Sequence, residues 1–375
     1  FKFDKVIRET VLMGEIPLSS IAEGYRAIYR KENRIYIAPI FENELVVYNI
    51  EKNKFKKYDI SIYNESDRRL FTNNVAKIGK IYEYEKYLFF VPMHIDMILR
   101  FNTETEEINC YNEFANMLIQ ENIKKEDLIF GISCLNDNKI YLPCFKTDAI
   151  VEFDMKSCES KIYFPKKSES GYNAICRSEN KFWLLNKDGI YDWKLDCETS
   201  NFIKIDLKGR FHDILNINNE IIHIQLKGEL MADKISDEDI AKLSCMKFNV
   251  LEDKEFDTSY IYQENSAALC IKVINDKIHI FSTVNDSLGI YNIYGELLDR
   301  CIFEVREKDY NEYLNMQYRR YQHIKTLLDK NAIIAEDFVD MKLQFYIQGL
   351  NDKCMSSYYY NTSDLTNIKG EKWDG

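Results

Sequence analysis

No apolar run in this 375-residue chain approaches the roughly 18 residues that a membrane-spanning helix needs. The ten cysteines form no C-x-x-C pair and no zinc-like spacing, which sets zinc modules aside. There is no P-loop, no dinucleotide-type G-x-G-x-x-G, no H-E-x-x-H and no G-x-S-x-G, so the common nucleotide, metalloprotease and serine-hydrolase signatures are missing. Histidine is scarce, with five residues. Basic charge is in deficit: 50 Lys and Arg stand against 61 Asp and Glu, a net charge of -11. That balance argues against non-specific nucleic-acid or anionic-membrane binding, because phosphate contacts need clustered cations. No signal peptide is visible, and the start at Phe1 leaves a processed or trimmed N-terminus open.

What is present is apolar and aromatic. Hydrophobic residues make up 46% and charged residues 30%, enough for a large core and too apolar for disorder. Aromatics reach 14%, with 26 Tyr and 22 Phe, and pleated strands accommodate such side chains well. Most cysteines sit inside apolar runs such as YNAICRS, ALCIKVI and DRCIFEV, where a thiol acts as a small hydrophobe. The expectation is a reducing, cytoplasmic compartment.

One pattern recurs along the chain. ENRIYIAPIFENELVVYNIEKNKFKKYDI (32–60) returns as EKYLFFVPMHIDMILRFNTETEEINCY (85–111) and DNKIYLPCFKTDAIVEFDMKSCESKIYF (137–164). Weaker copies lie at 179–205 and 275–303, and a split copy at 218–230 and 244–262. In the split copy, Ser236 and the acidic residues after it predict a short capped helical insertion. Each copy reads as three strands preceded by a further apolar run, so four strands a to d form one unit. Polar pairs mark the a–b turn, because Asn and Asp tolerate left-handed backbone. Strand b is nearly all apolar, as a buried strand should be. Strand c ends in an aromatic followed by Asn or Asp, at Tyr48–Asn49, Phe101–Asn102, Phe153–Asp154 and Phe248–Asn249. The polar residue should begin the c–d turn and the aromatic should pack between units.

A four-stranded sheet with two apolar faces cannot bury both alone, whereas a radial arrangement buries each against a neighbour. Six copies at intervals of roughly 40 to 55 residues predict an all-β, six-bladed β-propeller. The alternative is seven blades, the seventh built from residues 5–16 and part of the C-terminus. The domain reading is an N-terminal segment, 1–24, that could supply a closing strand, a propeller over 25–305, and a C-terminal α-helical extension over 306–375. In that tail Tyr310, Leu314, Tyr318 (or Tyr321), Ile324 and Leu328 share one helical face, as do Val339, Leu343, Tyr346, Ile347 and Leu350. These helices are expected to pack on the propeller, with a docking or dimerising element as the alternative.

The units IYIAP…LVVYN, LFFVP…ILRFN and IYLPC…IVEFD resemble the repeats of Kelch-like and streptogramin-lyase-like propellers. The likeness is greatest to bacterial propellers with an aromatic-x-x-Pro strand b, and it covers residues 20–305. It implies architecture. The Kelch double glycine is absent, as are the WD-repeat signature and the sialidase Asp box. For the lyase-like enzymes the resemblance implies a His and a carboxylate-bound Mg2+ at the channel, a pattern that no residues of this chain match one by one.

In this architecture ligands meet the b–c and d–a loops. The tips place Phe41, Glu42, His94, Asp96, Phe145, Lys146, Asp148, Lys187 and Asp188 there, with Arg68 and Arg69 in the long d–a connection at 61–74. Arg grips carboxylate or phosphate, and exposed aromatics stack on sugars or peptide side chains. A second long connection, 112–128, has helical spacing at Phe114, Leu118 and Ile123. The candidate catalytic pairs are His94 with Asp96 and His212 with Asp213, the metal ligands being undefined. His223 and His279 fall within strand b and are expected in the core, and His323 falls on the tail. The leading expectation is a non-catalytic propeller that binds a protein, peptide or glycan and needs no cofactor. The alternative is a Mg2+-assisted lyase or hydrolase at the channel mouth.

Overall fold

The computed structural model describes residues 6–10, 25–39, 42–61, 77–165, 171–178, 181–186 and 189–195, and shorter stretches between 202 and 315. The chain divides into two compact units. One comprises residues 16–207 and 211–223, and the other 1–15, 208–210 and 224–375.

A short strand, β1 (Val6–Thr10), comes first. The larger unit then holds four antiparallel meanders, each pairing only consecutive strands. The first sheet is β2 (Tyr25–Lys31), β3 (Arg34–Pro39), β4 (Glu44–Asn49) and β5 (Lys54–Asp59). The second is β6 (Ile78–Tyr84), β7 (Tyr87–Pro92), β8 (Ile98–Asn102) and β9 (Ile108–Tyr111). The third is β10 (Cys134–Asn136), β11 (Lys139–Pro143), β12 (Ile150–Asp154) and β13 (Ser160–Tyr163). The fourth is β14 (Ala174–Ser178), β15 (Lys181–Leu185), β16 (Gly189–Trp193) and β17 (Phe202–Lys204). A fifth sheet follows in the same order: β18 (Arg210–Ile217), β19 (Glu220–Leu226), β20 (Ser244–Asn249) and β21 (Lys254–Glu255).

The sixth sheet belongs to the smaller unit and contains β22 (Ala268–Ile274), β23 (Lys277–Ser282), β24 (Ser287–Tyr291) and β25 (Leu297–Val305). β1 joins it as a fifth strand, parallel to β25, with Val6 opposite Cys301 and Thr10 opposite Val305. Residues 6–10, which the seven-bladed alternative needed for a new blade, are therefore spent on the sixth sheet. β25 reaches past its pairing with β24, which ends at Ile302, and its last three residues pair with β1.

The a–b turns are two-residue hairpins whose first residue has positive φ: Glu32 at 52°, Glu85 at 56°, Asp137 at 53° and Asn275 at 50°. The c–d turns repeat a side-chain bond. Asn49 Oδ1 accepts from Lys52 N–H (2.8 Å), Asn102 Oδ1 from Glu104 N–H (2.9 Å), and Asp154 Oδ1 from Lys156 N–H (2.8 Å). These three strands c thus end where an Asn or Asp folds the chain back on its own backbone.

Alternation along strand b explains its apolar run. Leu88 and Phe90 pack with Tyr36, Leu45 and Val47 of the first sheet, while Phe89 and Val91 pack with Ile140, Val151 and Phe153 of the third. Both faces of the sheet are buried, so neither set of alternate residues can be polar. The strand-c aromatics reach the preceding unit as expected: Phe101 meets Tyr36 (5.5 Å between centroids), Phe153 meets Phe89 (5.9 Å), and Trp193 meets Tyr163 (5.3 Å). Burying such a ring contributes roughly 1.5–3 kcal/mol.

The connection at 112–128 contains helix α1 (Glu113–Gln120), which buries Phe114 and Leu118 against the second and third sheets. One expected strand is shortened. Of the run IFGISCL only Cys134 and Leu135 lie in β10: Phe130 N–H donates to Met93 C=O, Gly131 N–H to Pro143 C=O at the end of β11, and Ile132 N–H to Asn173 C=O ahead of β14. The helical insertion after Ser236 and His323 lie outside the described residues. So do most residues of the expected tail helices; Glu307–Asp309, Asn311, Glu312 and Asn315 are helical. His279 is half-buried rather than a core residue.

Candidate functional site

The b–c tips share a position that the register defines. Asn43, Asp96 and Asp148 each stand three residues before the strand-c residue that pairs with the middle of strand b, namely Val46, Leu99 and Val151. Asp188 and Asp286 hold the same place in the sequence relative to Tyr191 and Gly289. The tips PIFEN, PMHID, CFKTD and STVND have equal length and each ends in this residue, so the recurrence is legible in the sequence once the strands are registered; the fourth tip is two residues shorter.

Each of the first three tips faces a polar group from the connection that leads to the next sheet. At the first, buried Glu42 lies near buried Lys77, the residue before β6. Burial pulls the Lys77 ammonium down to about 8 while the Glu42 charge opposes it. At the second tip, Asp96 Oδ2 lies 3.6 Å from Lys125 Nζ, and Asp96 Oδ1 is buried without a hydrogen-bond partner. His94 is half-buried, and burial lowers its pKa. It makes no hydrogen bond to Asp96 among the described residues. At the third tip, Asp148 lies near the fully buried Tyr172.

The third tip is clamped on both sides. Phe145 N–H donates to Ile129 C=O (2.7 Å), Tyr172 N–H to Cys144 C=O (2.8 Å), and Cys144 N–H to Ala149 C=O (2.9 Å). A Cβ on Gly171, whose φ is +35°, would come within 2.4 Å of the Phe145 carbonyl oxygen. Gly131 passes equally close to the next connection, where a Cβ would lie 2.3 Å from the Asn173 carbonyl oxygen. Both glycines are there because backbone meets backbone. On this clamped loop Phe145 is 43% exposed, and Lys146 beside it is also exposed. At the fourth tip, Asn186 Oδ1 accepts from Gly189 N–H (2.9 Å).

Glu42, His94, Asp96, Phe145, Lys146 and Asp148 are thus placed at the tips, on three successive sheets. Phe41, Arg68, Arg69, Lys187 and Asp188 lie outside the described residues. His212 and Asp213 fall in β18, and their side chains also lie outside what is described. The pairing of His94 with Asp96 as an acid–base couple is not made: the carboxylate meets Lys125 instead. A Mg2+ ion at Asp96 would stand next to that ammonium, so this pair does not fit the ion. Among the described residues no group of three His, Cys, Asp or Glu gathers as a metal site.

Sequence reasoning also passed over the charges in strand c. At one equivalent position stand Val47, Arg100, Glu152 and Asp192. Arg100 lies over the rings of Tyr87 (4.5 Å) and Tyr111 (5.1 Å). Glu152 is buried and accepts from Lys139 Nζ (2.5 Å), Tyr141 Oη (2.9 Å) and Tyr163 Oη (3.1 Å). Asp192 pairs with Lys181 (3.3 Å). A lone charge inside an otherwise apolar strand was the available signal. These groups serve packing within and between sheets, away from the tips.

No family model matches the chain, and no curated protein does. Among solved structures it is similar to virginiamycin B lyase from Staphylococcus aureus, at a TM-score of 0.54 and 12% identity over 77% of this chain and 88% of that one. It is also similar to a streptogramin B lyase, at 0.52 and 12% over 77% and 86%. A catalytically inactive variant of the S. aureus lyase with quinupristin gives 0.54 and 12% over 77% and 88%. At this identity the likeness shows the fold, an all-β propeller.

Proposed function

We propose that this protein is a partner-binding propeller with one blade for each of the six sheets formed by the described residues, and that the b–c tips hold a protein or peptide. The observation that carries the reading is Phe145. A phenylalanine that is 43% exposed sits on a loop whose backbone is bonded to two neighbouring connections. An exposed aromatic on a pre-ordered backbone loses little conformational entropy on binding, and such residues dominate binding energy at interfaces. Lys146 beside it favours a partner with a carboxylate near its apolar contact. A glycan stacked on the same ring is the other ligand class. The cysteine pattern suggests the cytoplasm as the compartment.

The lyase alternative draws on the fold likeness alone, and the engagement of Asp96 with Lys125 weighs against an acid–base role for His94. The test is affinity capture with the full chain and with Phe145→Ala, followed by measured binding of each captured partner. Tenfold or greater loss of affinity in Phe145→Ala, at unchanged melting temperature, supports the reading. Equal binding by both chains rejects the tip as the site. Turnover of a small substrate that is lost with His94→Ala would restore the lyase alternative.

A further inference from the structure

The fourth strand of the sixth sheet shows what such a strand can hold. On the side that β24 does not use, β25 takes up β1 in parallel, from Val6 opposite Cys301 to Thr10 opposite Val305. In the other sheets β5, β9, β13, β17 and β21 stand last, each paired on one side. β5 is the longest of them, with six residues against four or fewer. Its backbone is also set for a further strand. Ile60 N–H donates to Asn43 C=O (2.9 Å), just past the end of the β4–β5 ladder. Antiparallel pairs alternate between bonded and unbonded, so the Lys54, Lys56 and Tyr58 amides turn to β4 and those of Phe55 and Asp59 turn away. The Phe55 and Asp59 N–H groups have no acceptor among the described residues. Unpaired groups along a strand edge are a template for another strand.

Charge decides which strand can use this edge. β5 and the turn before it carry Lys52, Lys54, Lys56 and Lys57, all exposed, against Glu51 and Asp59. Lys56 pairs with Glu106 and Lys57 with Glu44 (2.5 Å). Lys52 and Lys54 make no ion pair among the described residues, in a chain whose net charge is -11. A second copy of β5 would bring lysines against lysines, and like charges on neighbouring strands repel. A strand with acidic side chains meets the opposite response, because complementary charge both steers the encounter and fixes the register.

We propose that the free edge of β5 is a strand-addition site for an extended acidic segment of a partner protein, taken up as β25 takes up β1. The site lies on a different element from the b–c tips and stands independently of the reading of Phe145.

Amide hydrogen exchange of the full chain tests it, with a blocked peptide of alternating Glu and Val as the probe at millimolar concentration. The Phe55 and Asp59 amides should exchange at least fivefold more slowly, with the amides of β9 unchanged. The matching peptide of alternating Lys and Val should leave all of them unchanged. Replacing two exposed residues together, Lys52→Glu and Lys54→Glu, should weaken binding of the Glu peptide at least tenfold at unchanged melting temperature. Phe145→Ala should bind it as the parent does. No slowing at Phe55 and Asp59 overturns the proposal, and equal slowing by the Lys peptide overturns the acidic choice of partner. Binding that disappears in Phe145→Ala would place the peptide at the tip and overturn the site at β5.

Discussion

At one end of the sheets the chain repeats itself almost residue for residue. Glu32, Glu85 and Asp137 share a positive φ in a two-residue turn, and Asn49, Asn102 and Asp154 each accept a backbone N–H. At the other end only the Asn or Asp of Asn43, Asp96 and Asp148 recurs, and its surroundings change from Glu42 and Lys77, to Lys125, to Tyr172. A two-residue turn admits few conformations, so chemistry there is narrowly limited. A longer tip is free to vary once its ends are fixed by strand pairing. The variable end is therefore where a repeat architecture acquires an individual surface.

Substitutions can break this comparison, and the largest effect should come from the core that both ends share. Phe153→Ala removes a buried ring in contact with Phe89 and Tyr111 and should cost about 4 kcal/mol in urea unfolding. Gly131→Ala places a methyl against the Asn173 carbonyl and should cost about 3 kcal/mol, which would show the variable end to be as rigid as the regular one. A cost below about 0.5 kcal/mol would show instead that those connections yield.

The turn end should respond more mildly. Asn102→Ala loses the bonds from Glu104 and Thr105 N–H and should cost about 1 kcal/mol, read from the same unfolding curves.

The pH dependence sharpens the contrast at the first tip. The Lys77 pKa is about 8 in the folded protein against 10.5 in the reference state. Between those values the unfolded chain binds more protons, so stability should rise as pH increases from about 8. Tyr29 and Tyr58, raised from 10.0 to about 12 by burial and their bonds to Glu83 and Glu106, act in the opposite sense above about 10. Cys110 and Cys144, raised by burial from 9.0 to about 12, also act in the opposite sense from about pH 9, so the net rise should be confined to about pH 8–9. Melting temperatures across that range should lose it in Lys77→Met, and a slope that survives the substitution would assign it to other groups.

The smallest effect is expected at Phe145. Phe145→Ala should change stability by less than about 1 kcal/mol, since the residue is 43% exposed and only part of the burial of its ring is lost. A larger loss would mean that the ring supports the tip, and its value as a binding anchor would fall with it.

Much of this fold was legible in the residues. The apolar run of strand b, the polar pair of the a–b turn and the aromatic–Asn end of strand c each report a local constraint, so their recurrence reported the unit. The short β10 was not legible, because IFGISCL is as apolar as a full strand and only its bonds to Met93, Pro143 and Asn173 divert its first half. The placing of residues 6–10 was also hidden, since nothing in VIRET indicates that it runs parallel to β25. At the candidate site the sequence marked the tips and their exposed Phe145, and it mispaired His94 with Asp96. Residues two apart in a loop need not face one another, and the true neighbour of Asp96 lies 29 positions on, at Lys125.

By itself, then, the sequence determined the four-stranded unit, its turns and the loops that are free to vary, because those follow from side-chain period and local backbone preference. Tertiary structure alone decided which charges meet at each tip, and that the phenol of Tyr172 lies buried beside Asp148. Those contacts join segments from different repeats, and only the packing of one sheet on the next brings them together.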